Sequence, residues 1–144
     1  MSLSKQQIDG AAVSCNRAKI VFSENKSRVV FDNSSRKNFR EWAVDGELVK
    51  NVTACDNALE LDEKLFFVEL KGKNIEKAIE QICETVLLFL PILTGKHVSP
   101  VVAATRVPKG ASFQKAFAKG RRKLPANLSF DNPILQSSPK IIKV

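Results

Sequence analysis

The stretch that decides the fold runs from Cys55 to Lys71 and reads CDNALELDEKLFFVELK. Segments 54–61 and 65–71 are rich in apolar residues and flank the acidic pair Asp62-Glu63, a pattern that predicts two strands joined by a turn. If Asp62 and Glu63 form the centre of that turn, counting outward along both strands places Asp56 opposite Glu69. A three-residue loop would instead make this contact diagonal.

This hairpin predicts a cluster of charged side chains. Residues two apart on a strand share a face, so Glu69 and Lys71 point to the same side while Val68 and Leu70 point away. Directly opposed residues have Cβ atoms about 4.5 to 5.5 Å apart, close enough for Asp56 and Glu69 to share one cation. The simpler alternative is an exposed hairpin that happens to carry a glutamate and a lysine.

Two carboxylates at this spacing suit Mg²⁺, which keeps several waters and accepts phosphate oxygens. The backbone carbonyl of Leu70 would be a further ligand. A metal held there lowers the pKa of a bound water and stabilises charge on a phosphate under attack. The compact charge of Lys71 would orient that water or stabilise the transition state.

The chain before this hairpin also has strand character. Segments 19–23 and 28–32 flank a polar break and predict another hairpin, and a further strand is expected over 39–44. Asp45-Gly46 then indicates either a turn or a glycine bulge inside one longer strand.

The best-defined helix follows the second strand of the Asp56–Glu69 hairpin. Asn74 can cap its first turn, and Pro91 and Gly95 are expected to end it. Apolar residues recur at helical spacing between these points, with charged residues on the opposite side. They are Ile75, Ala78, Ile79, Ile82, Val86 and Phe89.

The remaining third of the chain predicts a strand, a helix and an arm. The continuous apolar run 98–104 is typical of a strand buried on both faces and paired in parallel. Ser112 is expected to cap a helix that reaches Arg122. Residues 124–144 are interrupted by prolines and are expected to form an irregular basic arm, with one short strand over 140–144.

These features together resemble the PD-(D/E)XK, or restriction-endonuclease-like, nuclease superfamily. The resemblance covers about residues 45–108 and is closest to small bacterial and phage-borne members. It implies an α/β fold with a mixed β-sheet flanked by helices, to which the N-terminal hairpin would be an extension. It also implies that Asp56 and Glu69 hold Mg²⁺ or Mn²⁺ and that Lys71 assists hydrolysis of a nucleic-acid phosphodiester.

The sequence departs from this family in three places. Cys55 stands where the family usually has a proline. Some members carry Gln and Tyr four residues apart on the next helix; Gln81 matches the first, which implies a site role, while Thr85 replaces the second. A surface amide is the alternative for Gln81. An acidic residue from an N-terminal helix often joins the family's site, but no clear helix is evident before residue 20. The sequence therefore does not decide which of four acidic residues would fill this role: Glu24, Glu41, Asp45 or Glu47.

Positive charge is concentrated late in the chain. The net charge is +8, with 13 Lys and Arg against 14 Asp and Glu over residues 1–95, and 10 against only Asp131 thereafter. Such a region suits a polyanion, although a solvated basic tail is the alternative. The candidate nucleic-acid contacts are Arg106, Lys109, Lys115, Lys119, Arg121, Arg122 and Lys123. Trp42 and Phe113 are expected in the core more than as base-stacking platforms.

Length and composition predict one nuclease-like domain over residues 1–144, with its core at about 39–123. The longest apolar run, 86–93, is too short to cross a membrane, and the N-terminus lacks the apolar core of a secretory signal. The three cysteines lack metal-ligand spacing and are expected to be buried, reduced side chains in a cytoplasmic protein. His97, the only histidine, is expected in a loop.

The sequence therefore predicts a Mg²⁺-dependent nuclease, with Mn²⁺ as a substitute, that hydrolyses nucleic acid and most readily an endonuclease acting on DNA. One alternative is a nuclease-fold module that binds nucleic acid or a protein without cutting. Another is an interaction domain with no affinity for nucleic acid. A homodimer or a protein partner is left open, and no membrane association is expected.

Overall fold

The computed structural model describes residues 2–24, 27–70, 74–104, 110–137 and 140–144. The helices are α1 (Lys5–Ala11), α2 (Ile75–Phe89), which continues into a 3₁₀ turn (Leu90–Ile92), and α3 (Gly110–Arg121). The strands are β1 (Val13–Cys15), β2 (Lys19–Glu24), β3 (Ser27–Asp32), β4 (Phe39–Ala43), β5 (Asn57–Leu61), β6 (Lys64–Leu70), β7 (His97–Ala104), β8 (Ser129–Phe130), β9 (Ile134–Ser137) and β10 (Lys140–Lys143).

The larger of two sheets has the order β1-β4-β5-β6-β7, and both β8 and β9 pair with the outer side of β7. The pairs β1–β4, β4–β5 and β5–β6 are antiparallel, whereas the pairs β6–β7, β7–β8 and β7–β9 are parallel. Helix α2 connects the parallel pair β6 and β7. The α/β class with a mixed sheet is therefore confirmed, as is the parallel pairing of the buried strand β7.

The central hairpin has the register predicted from the sequence. Leu61 pairs with Lys64 at the turn, and Asn57 pairs with Val68 at the open end. Strand β5 is shorter than predicted, because residues 54–56 lie outside the ladder. The amide of Cys55 donates instead to the side-chain hydroxyl of Thr85 on α2, 2.8 Å away.

The two faces of the large sheet bury different partners. Leu65, Phe67 and Val102 point toward the helices and belong to one apolar cluster, which also contains Ile8 of α1 and Ile79 of α2. The alternating residues of the same strands join a second cluster with the strands of the smaller sheet, among them Phe66, Val68, Val101, Val29 and Phe31. The helices therefore lie on one face and the small sheet on the other.

The small sheet has the order β10-β3-β2. The hairpin of β2 and β3 is present with the predicted pairing, and β10 adds to it in parallel. Phe31 of β3 stacks edge-on against Phe66 of β6, with ring centroids 4.9 Å apart. The N-terminal hairpin is thus more than an extension, because it covers one face of the large sheet.

Helix α2 begins and ends as predicted. The Asn74 side chain accepts a hydrogen bond from the amide of Lys77 at 3.1 Å. The chain leaves the helix through the 3₁₀ turn that contains Pro91, and Gly95 adopts a φ of +75°, a conformation that glycine takes without strain.

The expectation of no helix before residue 20 is wrong. Helix α1 begins with a capping box in which Ser4 and Gln7 exchange side-chain and backbone hydrogen bonds. It is held to the sheet by Trp42, whose indole nitrogen donates to the carbonyl of Ile8 at 2.8 Å, and by an ion pair between Asp9 and Arg40 at 2.8 Å. Trp42 is 1% exposed and Phe113 is also buried, so both are core residues as expected.

The expected cap of the last helix is wrong as well. Helix α3 begins at Gly110, which places Ser112 inside its first turn. Residues 113–121 continue the helix as predicted.

The C-terminal arm is more regular than expected. Strands β8 and β9 add to the edge of β7, so the described part of residues 124–144 contains three short strands, including the predicted one at Lys140–Lys143. His97 is the exposed first residue of β7 and not a loop residue. Gly46, with φ of +87°, lies in a turn after β4, which excludes a bulge within a longer strand. No helix in the described ranges is long and apolar enough to cross a membrane.

Candidate active site

Asp56 lies one residue before β5, where it is attached to strands on both sides. Its carbonyl accepts from the amide of Val44 at 2.9 Å, and its own amide donates to the carbonyl of Val68 at 3.1 Å. Its carboxylate oxygen Oδ2 accepts from the amide of Leu70 at 2.8 Å. The carboxylate is therefore fixed against the last residue of β6, in line with the expectation that it lies beside residue 69.

Glu69 is the residue next to that contact. Along β6 it alternates with Val68 and Leu70, so it points to the helical face together with Phe67. On the other side it is paired with Val102 of β7. Its side chain is 0% exposed, whereas Asp56 is half-buried. Burial of a carboxylate costs several kcal/mol unless opposite charge or hydrogen bonds compensate for it.

The thiol of Cys55 lies within electrostatic range of both carboxylates. Burial raises the pKa of this thiol far above its usual range, and a hydrogen bond with Thr85 opposes the rise. The negative charges of Glu69 and Asp56 both raise the pKa further. Both carboxylates therefore lie within electrostatic range of one buried sulfur atom, as a shared site requires.

Lys71, the third predicted member of the site, lies outside the described residues, as do Arg106 and Lys109. Their places in the site stay predictions. The position of Leu70 is known. The amide of Leu70 donates to the carboxylate of Asp56, so the backbone of Leu70 lies beside the predicted site, as its suggested role as a carbonyl ligand requires.

Gln81 faces the sheet from α2. Its side chain is 6% exposed, so the alternative of a surface amide is wrong. The amide nitrogen donates to the carbonyl of Ala54 at 3.3 Å, and the buried oxygen Oε1 has no hydrogen-bond partner. Gln81 therefore contacts the segment that carries Asp56, two residues upstream of it.

Thr85 holds the same segment one helical turn later. Its hydroxyl donates to the carbonyl of Gln81 at 2.8 Å and accepts from the amide of Cys55, also at 2.8 Å. This role was missed from the sequence, although a Thr on the apolar side of a helix, four residues after Gln81, was the available signal. Gln81 and Thr85 together position the residues just before Asp56.

The acidic residue sought from the N-terminal part of the chain does not join the site in the described ranges. Asp9 of α1 binds Lys5 and Arg40, and Glu41 binds Arg17 at 2.7 Å. Asp45 and Glu47 lie exposed in the turn after β4, and Glu24 ends β2 in the small sheet. Within the part of the chain that the structure describes, no group of three or more His, Cys, Asp or Glu side chains is arranged to hold a metal. A cation here would have two carboxylate ligands, with waters and a backbone carbonyl completing its coordination, which is a donor set that suits Mg²⁺.

The basic residues of α3 and the turn after it are all exposed, as contact with a polyanion requires: Lys115, Lys119, Arg121, Arg122 and Lys123. Arg121 lies over the ring of Phe130, 4.8 Å from its centroid. Lys115, Lys119 and Lys123 line a groove whose other wall is α2.

The cysteines differ in environment. Cys55 and Cys83 are buried, as expected, while Cys15 is half-buried, and all three are free thiols. Burial raises the pKa of Cys83 to about 11, so it stays protonated at neutral pH. The backbone and side chain of Arg17 lower the pKa of Cys15.

Comparisons with protein-family models, with curated proteins and with solved structures found no match to this chain. The nuclease interpretation therefore rests on its own residues and on the geometry around Asp56 and Glu69.

Proposed function

We propose that this protein is a metal-dependent nuclease of the PD-(D/E)XK type that hydrolyses phosphodiester bonds, with DNA as its substrate. The observation that carries the proposal is the hydrogen bond that fixes the carboxylate of Asp56 against the amide of Leu70, the neighbour of Glu69 at the end of β6. Both carboxylates also lie within electrostatic range of the thiol of Cys55.

Each residue has a role in this proposal. Asp56, Glu69 and the carbonyl of Leu70 hold Mg²⁺ or Mn²⁺, which would supply an activated water and neutralise charge on the phosphate. Lys71 orients the water or stabilises the transition state. Gln81 acts as a positioning residue through its hydrogen bond to Ala54.

Substrate contact is assigned to the exposed basic residues that follow β7. Arg121 and Arg122, with Arg106 and Lys109 earlier in the sequence, bind backbone phosphates and set the position of the strand. Because phosphate contacts release counterions, binding should weaken steeply with added salt.

A second candidate function is supported by the burial of Glu69. A side chain that is 0% exposed has no open path to a phosphate in this conformation. A module that binds nucleic acid or a protein without cutting has no need for such a path. The two candidates share the basic residues and differ only in cleavage.

The deciding experiment is a cleavage assay on plasmid, linear, single-stranded and branched DNA, and on RNA. We expect the wild type to cut with Mg²⁺ or Mn²⁺ and not with EDTA. Asp56→Asn should lower the rate by roughly 10³-fold, since a metal ligand contributes several kcal/mol to the transition state. Asp62→Asn, which changes an exposed aspartate in the turn of the same hairpin, is the matched control and should cut normally.

The outcomes separate the candidates. Salt-sensitive binding of nucleic acid without any cleavage would support the non-catalytic module. Equal cleavage by the wild type and Asp56→Asn would remove the assigned site, provided that both proteins give the same circular dichroism spectrum.

A further inference from the structure

Helices α2 and α3 enclose a groove of about 520 Å³ on the helical face. Its floor is formed where the helices touch at Gly120. A Cβ atom on that residue would lie 2.6 Å from the sulfur of Cys83 and 3.2 Å from Ile79. Glycine is required there for the close approach of the two helices, so the walls of the groove have a fixed spacing.

The two walls carry rows of opposite charge, and Lys77 of α2 also lines the groove. Glu76, Glu80 and Glu84 recur every four residues on α2, and Lys115, Lys119 and Lys123 recur at the same interval on α3 and just beyond it. A four-residue step rises about 6 Å along a helix, so each row repeats its charge at that distance. In the described ranges, no ion pair joins one row to the other.

The two rows run in the same direction. Helix α2 connects β6 to its parallel neighbour β7, and α3 connects β7 to its parallel neighbour β8. Both helices therefore run antiparallel to these parallel strands and point in the same direction as each other. The surface presents two parallel rows of three charges, one negative and one positive.

We propose that this surface binds a second copy of the same chain across a two-fold axis. A two-fold axis that lies along the groove, in the plane of contact, places each row against the opposite row of the other copy and keeps its direction. Glu80 then meets the partner's Lys119, while Glu76 and Glu84 meet the partner's Lys115 and Lys123. Each of these six charges gains an opposite partner, because both rows have the same length and spacing.

Charge complementarity favours this occupant over others. A nucleic-acid strand in the groove would meet three glutamates beside the three lysines, and an acidic or a basic peptide would satisfy only one wall. The same surface on a second copy satisfies both. The proposal assigns these lysines to dimerisation, leaves Arg121 and Arg122 for nucleic acid, and does not depend on nuclease activity.

The expected dimer is weak and sensitive to salt. Helices of 15 and 12 residues, about 22 and 18 Å long, present less than the roughly 800 Å² that each partner contributes to a typical stable complex. We therefore expect a dissociation constant in the micromolar range that rises with ionic strength, because charges at the rim of an interface are screened.

Sedimentation equilibrium with charge-reversed variants tests this surface. We expect the wild type to dimerise at about 100 µM in about 0.05 M salt, and less in about 0.5 M salt. Glu80→Lys and Lys119→Glu should each weaken the dimer at least tenfold. The two-fold axis repeats the contact between residues 80 and 119, so each variant places two pairs of like charges face to face. An equal mixture of the two variants should restore dimers, since both contacts then join opposite charges. Glu63→Lys and Lys50→Glu make the same charge changes at exposed sites off the groove and should dimerise like the wild type.

Three results would overturn the proposal. They are a monomeric wild type at about 100 µM in low salt, single variants that dimerise normally, and a mixture that stays monomeric. If a charge reversal impairs folding, the neutral variants Glu80→Gln and Lys119→Gln are measured, and an unchanged dissociation constant for both would likewise contradict the interface.

Discussion

The acidic side chains at the two ends of β6 have different binding partners. At the Lys64 end, Glu60 and Asp131 each have a cationic partner. Glu60 binds Arg40 at 2.7 Å and lies 3.7 Å from Lys96, and Asp131 lies 3.3 Å from Lys64. At the Leu70 end, the carboxylate of Asp56 binds a backbone amide, and both Asp56 and Glu69 lie within electrostatic range of one buried thiol.

This difference separates charges that stabilise from charges that are placed for another purpose. Ion pairs at the Lys64 end tie distant segments together; Arg40 alone contacts both Asp9 of α1 and Glu60 of β5. Two carboxylates that lie near the same buried thiol disfavour one another's charge. Such an arrangement is typical of sites where function costs some stability.

The strongest test of this difference between the two ends of β6 is to neutralise one carboxylate at each end. Glu69→Gln should lower nuclease activity by roughly 10³-fold without loss of folding, because the neutral amide keeps the shape of the side chain and loses the metal ligand. Glu60→Gln should keep full activity and lower the free energy of unfolding by about 2 kcal/mol, since it weakens hydrogen bonds to a charged guanidinium. Cleavage rates and urea denaturation of both variants measure these effects, and matching profiles for the two would remove the distinction.

A second variant tests how the Leu70 end is held. Thr85→Val should lower the free energy of unfolding by about 1 to 3 kcal/mol, because it leaves the buried amide of Cys55 without its acceptor. It should also lower cleavage, since residues 54–56 would lose their attachment to α2. Thr85→Ser keeps the hydroxyl and is the matched control. If the valine and serine variants unfold at the same urea concentration, this hydrogen bond does not hold the segment.

The smallest effect is expected at the Lys64 end and depends on pH. Asp131 accepts a hydrogen bond from Ser99 at 2.5 Å, and this contact, followed by Lys64, lowers its pKa below the usual 3.8. A carboxylate whose pKa is lowered by folding stabilises the folded protein at pH values above the pKa it has in the unfolded chain. This contribution is lost as the pH falls through the pKa that it has in the folded protein. Asp131→Asn should therefore cost about 1 kcal/mol at neutral pH and progressively less below pH 3.8.

Denaturation curves at several pH values between neutral and strongly acidic check this prediction. Ser99→Ala removes the donor of the same hydrogen bond and should show the same trend. A gap between Asp131→Asn and the wild type that stays constant in acid would contradict it.

Local signals were sufficient to predict much of the fold. The turn at Asp62-Glu63 determined the register of β5 and β6, because apolar side chains flank it on both strands. The Asn74 cap and the apolar periodicity predicted α2, and the uninterrupted apolar run predicted a buried parallel strand. Helix α1 was missed even though Ser4 and Gln7 carry the capping-box pattern, because seven residues give too few turns for a clear periodicity.

The features that escaped prediction depend on contacts between distant residues. Strands β8 and β9 are only two and four residues long, and they form because β7 offers a free edge for pairing. Short segments interrupted by proline carry no sequence signal for such pairing. The start of β5 was misplaced because Cys55 bonds to Thr85, a residue 30 positions away. For the site, the sequence predicted the proximity of Asp56 to residue 69 but not the complete burial of Glu69, which depends on how α2 and β7 pack over it.

The most direct test of the central claim is a calorimetric titration of the protein with Mn²⁺ in the absence of nucleic acid. If Asp56 and Glu69 hold a cation together, the wild type binds one ion, and Asp56→Asn and Glu69→Gln each weaken binding by at least tenfold, while Glu60→Gln binds normally. A wild type that binds no ion, or the same affinity in all four proteins, would contradict the claim that these carboxylates form a metal site.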